Sequence, residues 1–162
     1  MYRWTRKPLQ GYTDVDGSMS EDQKAVSGYV FLIDGSAVSW ASKKQEIISL
    51  SMTESEYVAT THATKEALGL RSFIGEVLVP LNEPITLFSD NQSAIALAKD
   101  HQYHTCTKHI DIRFHFICWV VDDGKIHLVF CPTNDMVTNT LTKALLSPKV
   151  KHFTAELRLR MA

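Results

Sequence analysis

Three strand signals followed by one long helix signal constrain the fold of this chain more than any other feature of its sequence. Residues 9–16, 27–33 and 36–41 are rich in β-branched and aromatic side chains, which favour extended structure. The second and third segments flank Asp34-Gly35, a pair typical of the tight type I′ turn of a hairpin. The sequence therefore predicts three antiparallel strands at the start of the domain, two of them joined as a hairpin.

A long helix is predicted directly after these strands. Ser51 and Thr53 each stand three residues before a glutamate, which is the capping-box pattern that begins helices. Apolar residues then recur every three or four positions, as they do on the buried face of a helix. These residues are Ala59, Ala63, Ala67, Leu70, Ile74 and Val77. We therefore expect one helix that packs this face against the sheet.

The second half of the chain alternates shorter strand and helix signals. Strands are predicted over residues 85–88 and 126–131, and helices over residues 91–99, 107–121 and 135–145, with a further helix after Pro148. The order βββ-α-β-α-α-β-α joins an antiparallel half to a half in which helices connect the strands. We therefore predict an α/β fold with a five-stranded mixed sheet, three antiparallel strands followed by two parallel ones, flanked by helices.

The length of 162 residues, of which 44% are hydrophobic, suits a single domain. Residues 9–146 are expected to form its core, residues 1–8 a linker or cloning remnant, and residues 147–162 a helical extension. No apolar run is long enough to cross a membrane, and no secretory signal is recognisable. The three widely spaced cysteines argue against a disulfide framework. We therefore expect a soluble, cytoplasmic protein without membrane association.

The formal net charge of -1 bears on nucleic-acid binding. Domains that bind polyanions unaided usually carry a basic excess, because neutralising phosphates supplies most of the affinity. Two interpretations remain open at this point. Either the domain does not bind nucleic acid, or a small basic patch, bound divalent cations and an attached partner domain together provide the affinity.

Three acidic residues occupy positions at which folding brings side chains together. Asp14 lies in the first predicted strand, and Asp90 directly follows the fourth, where α/β sheets place their ligands. Glu56 begins the apolar face of the long helix, whereas Glu54 should point away from that face. Carboxylate oxygens suit hard cations such as Mg²⁺ or Mn²⁺. For each of these residues the alternative is a cap, a turn or a solvated charge.

Six segments of the chain form a collinear set of motifs. They read Gly-Tyr-Thr-Asp-Val-Asp at residues 11–16, Ser-Gly-Tyr-Val-Phe at 27–31, Ser-Trp-Ala-Ser-Lys-Lys-Gln at 39–45, Ser-Met-Thr-Glu-Ser-Glu-Tyr at 51–57, Ser-Asp-Asn-Gln-Ser-Ala at 89–94 and Thr-Lys-His-Ile-Asp-Ile-Arg-Phe-His-Phe at 107–116. In order and spacing they resemble the ribonuclease H region of copia-type retrotransposon polyproteins. The resemblance extends from residue 11 to residue 143 and is more specific than any single motif.

The resemblance implies a ribonuclease H-like fold with an Asp-Glu-Asp-Asp site for two Mg²⁺ ions, with Mn²⁺ as a substitute. Matched to the family motifs, Asp14, Glu56 and Asp90 are the first three metal ligands and catalytic residues. The fourth falls in a block that usually reads Leu-Ala-Asp-Ile-Leu-Thr-Lys in the family. Here residues 137–143 read Val-Thr-Asn-Thr-Leu-Thr-Lys, so that Asn139 replaces the aspartate. Because an amide carries no charge, weaker metal binding and slower turnover are expected.

Two functions stay open at the level of sequence. The first is an active ribonuclease H that cuts the RNA strand of RNA–DNA hybrids during reverse transcription. It would work in a cytoplasmic virus-like particle, beside an upstream reverse transcriptase domain, and the isolated domain should be monomeric. The second is an impaired or engineered-inactive module that binds hybrid or a partner protein without cutting. The change at Asn139 has three conceivable origins: engineering, decay of an old element, or a variant that the site tolerates.

The residues expected to contact nucleic acid are basic or polar and lie within the same motifs. They are Lys43, Lys44, Thr53, Asn91, Gln92, Lys108 and Arg113. Basic side chains of this set would meet phosphates, and the polar ones would meet a minor groove that displays 2′-hydroxyl groups. The alternative for each of them is an ordinary solvated surface role.

Histidine and cysteine residues raise two further questions. His104, Cys106 and His109 carry zinc-type side chains, but their spacing fits no common zinc site, and packing or capping is the better interpretation. Many proteins that resemble this family carry a mobile histidine shortly before the last carboxylate, where it assists product release. No histidine lies between Phe130 and Asn139 here, so this function is either absent or performed by a histidine from elsewhere.

Overall fold

A computed structural model describes residues 9–16, 24–46, 51–78, 80–99 and 108–159 of the chain. The strands in these ranges are β1 (Gln10–Asp16), β2 (Val26–Ile33), β3 (Ser36–Lys44), β4 (Ile85–Ser89) and β5 (Ile126–Phe130). The helices are α1 (Met52–Val77), α2 (Gln92–Lys99), α3 (Lys108–Asp122), α4 (Asn139–Thr142) and α5 (Ser147–Glu156), with a 3₁₀ turn over Thr133–Asp135. No helix within these ranges is both long enough and apolar enough to span a membrane.

The strands form one sheet in the order β3-β2-β1-β4-β5. β1 pairs with β2, and β2 with β3, in antiparallel fashion, whereas β4 lies parallel to both β1 and β5. The turn between β2 and β3 has positive φ angles of 53° at Asp34 and 76° at Gly35, as a type I′ turn requires. The predicted mixed sheet and its hairpin are therefore confirmed.

Alternate residues of β2 point to opposite faces of the sheet, and helices cover both faces. Phe31 is fully buried in a core formed with apolar side chains of α1, α2 and α3. Val30 and Leu32 pack instead with Phe153 of α5 and with Leu157, which follows that helix. The first three helices thus cover one face, and the C-terminal part of the chain covers the other.

The buried face of α1 agrees with the predicted one except at its end. Ala59, Ala63 and Ala67 are at most 1% exposed, and Ile74 is 8% exposed, whereas Val77 is 60% exposed. The expectation that Val77 packs on the sheet is therefore wrong. Helical spacing specifies which face is buried, but it does not specify how far along the helix the neighbouring elements extend.

The helix predicted over residues 135–145 is wrong in its extent. The structure has only the four-residue α4, and the backbone is extended at Lys143, with φ -123° and ψ 146°. Threonine and asparagine make up most of residues 138–142, and both are weak helix formers. The predicted later helix begins at Ser147, because Pro148 fits the first turn, where its missing N–H group would have no partner.

Gly28 of β2 lets α4 approach the sheet closely. A Cβ atom at this position would lie 2.7 Å from Cγ2 of Thr142 and 3.2 Å from Cβ of Leu141. Gly28 pairs with Asp14 of β1 on one side and with Ser42 of β3 on the other. The Ser42 hydroxyl donates a hydrogen bond to the carbonyl oxygen of Leu141 over 2.6 Å. These contacts fix α4 over the strand position that carries Asp14.

Gly28→Ala is expected to lower the free energy of unfolding by about 1–3 kcal/mol, because the added methyl group overpacks the contact between β2 and α4. Gly69→Ala in α1 is the matched control. Nothing lies within 4 Å of its Cβ position, and alanine is favoured over glycine in a helix by about 1 kcal/mol. Urea denaturation followed by circular dichroism measures both variants. Equal stabilities would contradict the close approach at Gly28.

Candidate active site

Asp14 of β1 is the most deeply buried of the predicted metal ligands, with 1% of its surface exposed. The Thr142 hydroxyl donates a hydrogen bond to its Oδ2. The Nζ atom of Lys143 lies 3.2 Å from Oδ1 and 3.1 Å from Oδ2. Burial raises the pKa of Asp14, and the Thr142 hydroxyl and the Lys143 ammonium group act in the opposite direction. The buried carboxylate thus has one hydroxyl and one cation as its partners.

Glu56 lies in the first turns of α1 and is 5% exposed. Its Oε2 atom is buried without a hydrogen-bond partner. Burial, and then the carboxylates of Asp90 and Asp14, raise the pKa of Glu56 to about 8, against the effect of the Lys143 ammonium group. Glu54, two residues earlier, is only partly buried. The helix therefore turns Glu56 rather than Glu54 toward the interior, as its spacing predicts.

Asp90 directly follows β4 and is partly buried. Its Oδ2 atom accepts a hydrogen bond from the Thr133 hydroxyl over 2.8 Å. Its negative charge raises the pKa of both Asp14 and Glu56. The three carboxyl groups that the sequence singles out therefore lie within electrostatic reach of one another, although they come from β1, α1 and the end of β4.

Asn139 begins α4 and is 6% exposed. Its Nδ2 atom donates a hydrogen bond to the carbonyl oxygen of Thr133 over 2.5 Å, and its Oδ1 atom accepts one from Nζ of Lys143 over 2.7 Å. Thr133 therefore links Asn139 to Asp90. Lys143 links it to Asp14. Through these two residues the predicted fourth position is connected to two of the three carboxylates.

The carboxylate and amide oxygens of these four residues are of the type that binds hard divalent cations, but their side chains are not arranged around a common metal position. Among the residues that the structure describes, no three His, Cys, Asp or Glu side chains are placed to hold a metal ion together. The cation at this spot is the ammonium group of Lys143, which contacts Asp14 and Asn139. Glu56 keeps a buried oxygen without a partner, which a cation would satisfy. The residues fit Mg²⁺ or Mn²⁺ provided that the Lys143 side chain moves.

A cavity of about 130 Å³ lies between the end of β3, α1 and α3, and we call it the basic groove. Its walls bring together three of the predicted nucleic-acid contacts, Lys43, Lys44 and Arg113. His62 of α1 also lines it, and burial and the surrounding cationic side chains lower the pKa of His62. Lys43 forms an ion pair with Glu46 over 2.7 Å. His62 was not predicted, since no motif surrounds it.

The other predicted nucleic-acid contacts have different surroundings. Thr53 is partly buried in the first turn of α1, and Gln92 is exposed at the start of α2. Asn91 accepts a hydrogen bond from the N–H group of Ala94 over 2.9 Å, which gives it a capping role in α2. The side chain of Lys108 lies outside the described part of the chain. Among the described side chains, those of Thr53, Asn91 and Gln92 therefore do not line the basic groove.

The residues with zinc-type side chains fall mostly beyond the described ranges. His104 and Cys106 lie outside them, and so does the side chain of His109. Cys118 and Cys131, which lie inside the ranges, are free cysteines. The structure therefore leaves the zinc interpretation untested.

No protein-family profile matches the sequence. The chain is 41% identical, over 138 residues, to the retrovirus-related Pol polyprotein from transposon TNT 1-94 of Nicotiana tabacum, a match that covers 85% of the chain and 10% of that protein. It is 31% identical, over 150 residues, to the corresponding polyprotein from transposon RE1 of Arabidopsis thaliana, over 92% of the chain and 10% of that protein. The chain is homologous to a segment of the Pol polyproteins of copia-type transposons.

The chain spans about a tenth of the length of the Pol polyproteins that it matches. The chain has the ribonuclease H-like fold. The crystal structure of LC11-RNase H1 in complex with an RNA/DNA hybrid aligns with 83% of the chain and 93% of its own chain, with a TM-score of 0.61 and 16% sequence identity. At that identity the likeness shows the fold alone, and it confirms the predicted one.

Proposed function

We propose that this Pol segment is a metal-dependent ribonuclease H, which hydrolyses the RNA strand of RNA–DNA hybrids. The observation that carries the proposal is that Asp14, Glu56 and Asp90 lie within electrostatic reach of one another in a ribonuclease H-like fold. Bringing acidic groups together in a buried place costs free energy, and a bound cation offsets that cost. A protein of the same fold was solved in complex with an RNA/DNA hybrid, which supports the choice of substrate.

The proposed ligands of two Mg²⁺ ions are Asp14, Glu56 and Asp90, with Mn²⁺ as a substitute ion. Asn139 contributes a neutral oxygen. Bound divalent ions supply a more acidic water and stabilise negative charge on the leaving oxygen. The protein orients the ligands, since Thr133 holds Asp90 through its hydroxyl and Asn139 through its carbonyl oxygen. Hydrolysis of this kind leaves 3′-hydroxyl and 5′-phosphate ends.

The basic groove is the surface that we assign to the phosphates of the hybrid. It places Lys44 and Arg113 in one cavity, whereas the chain as a whole has a net charge of -1 and offers little further attraction. The polyproteins that the chain matches are far longer than it is, and an upstream reverse transcriptase domain is the proposed second site of contact with the hybrid. The isolated domain is therefore expected to bind hybrid weakly.

Arg113→Ala is expected to raise the Kd for an RNA–DNA hybrid about threefold to tenfold at low salt. It should also reduce the slope of log affinity against log salt concentration by about 1, because one phosphate contact is lost. Lys149→Ala is the matched control, since it removes the same charge from α5 on the other face of the sheet. Fluorescence anisotropy in EDTA measures both. Equal effects of the two substitutions on the Kd would show that the basic groove does not contact the hybrid.

The activity is tested with a gel assay on a hybrid whose RNA strand carries the label, in Mg²⁺ and then in Mn²⁺. Cleavage that stops in EDTA and is lost in Asp14→Asn supports the proposal. Double-stranded DNA and single-stranded RNA serve as control substrates and are expected to remain intact. A folded protein that binds the hybrid and leaves it intact with both ions would overturn the proposed activity.

Asn139 favours a second candidate function, that of an impaired module which binds hybrid or a partner protein without cutting. The side chain at this position brings no charge to the site. Its amide already donates a hydrogen bond to Thr133 and accepts one from Lys143. Hybrid that is bound but uncut in both Mg²⁺ and Mn²⁺ is the result expected of such a module.

A further inference from the structure

Lys143 contacts two sides of the candidate metal site. Its Nζ atom lies 3.1 Å from Oδ2 and 3.2 Å from Oδ1 of Asp14, and 2.7 Å from Oδ1 of Asn139. The proposed function assigns the side chains of these two residues to a divalent ion. An ammonium group at such distances occupies the space and neutralises the charge that would attract that ion.

The backbone that carries Lys143 is held in place, while its side chain borders solvent. The hydrogen bond from Ser42 to Leu141 and the contact of Thr142 with Asp14 tie α4 to the sheet. The Lys143 side chain is 30% exposed. Its flexible four-carbon stem can therefore turn the ammonium group outward without any shift of α4.

We propose that Lys143 is a built-in counter-ion that holds one cation position of the metal-free protein and leaves it when a divalent ion binds. The inference rests on the proposed function and concerns the loading of the same site. A divalent ion and the ammonium group cannot share Asp14, because like charges at contact distance repel strongly in a partly buried place. Metal binding and the outward movement of Lys143 are therefore coupled, and the lysine lowers the affinity of the site for metal.

The test is Mn²⁺ binding to the full chain, measured by electron paramagnetic resonance of the free ion, which requires no activity. Lys143→Met keeps the length of the side chain and removes the charge that competes with the ion, and it is expected to lower the Mn²⁺ Kd about tenfold. Lys143→Arg keeps the charge and, because the guanidinium group can pair with the Asp14 carboxylate, should not lower the Mn²⁺ Kd below that of the wild type. Lys149→Met removes the same charge from α5 and should also change the Kd less than about twofold.

Two outcomes would overturn the inference, and they differ in what they say about the proposed function. If the wild type and Lys143→Met both bind Mn²⁺, and the variant binds it no more tightly, the inference falls and the proposed function stands. If neither protein binds Mn²⁺, even with hybrid present, the inference and the proposed function are both wrong. Circular dichroism verifies folding, and Lys143→Gln takes the place of Lys143→Met should the latter unfold.

Discussion

Glu56→Gln is expected to stabilise the metal-free protein by on the order of 3 kcal/mol at pH 7. Burial and the neighbouring carboxylates raise the pKa of Glu56 from 4.5 to about 8. Between these two values the folded state keeps a proton that the unfolded chain has released. The wild-type protein therefore loses stability as the pH rises through this window, and a neutral glutamine removes that loss.

Urea denaturation in EDTA between about pH 5 and about pH 8 measures the effect across the window in which Glu56 titrates. The wild type should lose stability as the pH rises, and Glu56→Gln should lose less. Asp14, whose pKa is also raised, accounts for part of the remaining slope. Glu54→Gln is the matched control, because Glu54 lies on the same helix but is only partly buried. Parallel pH profiles for Glu56→Gln and the wild type would contradict the raised pKa.

The same substitution is expected to reduce hydrolysis of the hybrid at least about a hundredfold, because charge stabilisation by a bound metal ion is worth several kcal/mol. Glu56→Gln is thus expected to be more stable but less active than the wild type. Opposite signs of this kind are expected of a side chain that is retained for chemistry, since a purely structural residue lowers stability when it is replaced. A Glu56→Gln variant with wild-type activity would exclude Glu56 from the proposed site.

The sheet could be predicted because its signals act over a few residues, whereas the end of the chain depends on distant packing. The Asp34-Gly35 turn and the flanking strands are read from adjacent positions. Val137, Leu141 and Leu145 recur at helical spacing, and all three pack in the core beneath α5. The chain between them is a turn, a short helix and an extended segment. Apolar residues at helical spacing can therefore pack on the same core without belonging to one continuous helix.

The sequence indicates where the three candidate carboxylates lie, but it does not indicate which residues donate hydrogen bonds to them. Asp14 lies in β1 and Asp90 directly follows β4, so the strand pattern predicts where each lies. The contact between Thr133 and Asp90 spans 43 residues, and that between Lys143 and Asp14 spans 129, so neither contact leaves a local pattern in the sequence. The signals for Lys143 are its place at the end of the block that resembles the family motif and its spacing of four residues from Asn139, about one helical turn.

Asn139→Asp is expected to raise both the rate of hybrid hydrolysis and the affinity for Mn²⁺ about tenfold or more. Coulomb attraction scales with the product of the charges, so a new carboxylate attracts a divalent ion about twice as strongly as it attracts the Lys143 ammonium group. The substitution therefore shifts the competition toward metal. In the metal-free protein the carboxylate cannot donate to the Thr133 carbonyl oxygen, and losing that hydrogen bond costs about 1 kcal/mol.

Single-turnover cleavage of a labelled hybrid, together with Mn²⁺ binding, measures the effect of Asn139→Asp. Asn134→Asp is the matched control, because it adds the same charge at an exposed position of the neighbouring 3₁₀ turn. Cleavage by the wild type that becomes faster in Asn139→Asp supports the active enzyme. Cleavage by the variant alone supports the impaired module and identifies the amide as its lesion. If neither protein cuts a hybrid that both bind with Mn²⁺, the missing charge does not limit the reaction, and the proposed nuclease activity is wrong.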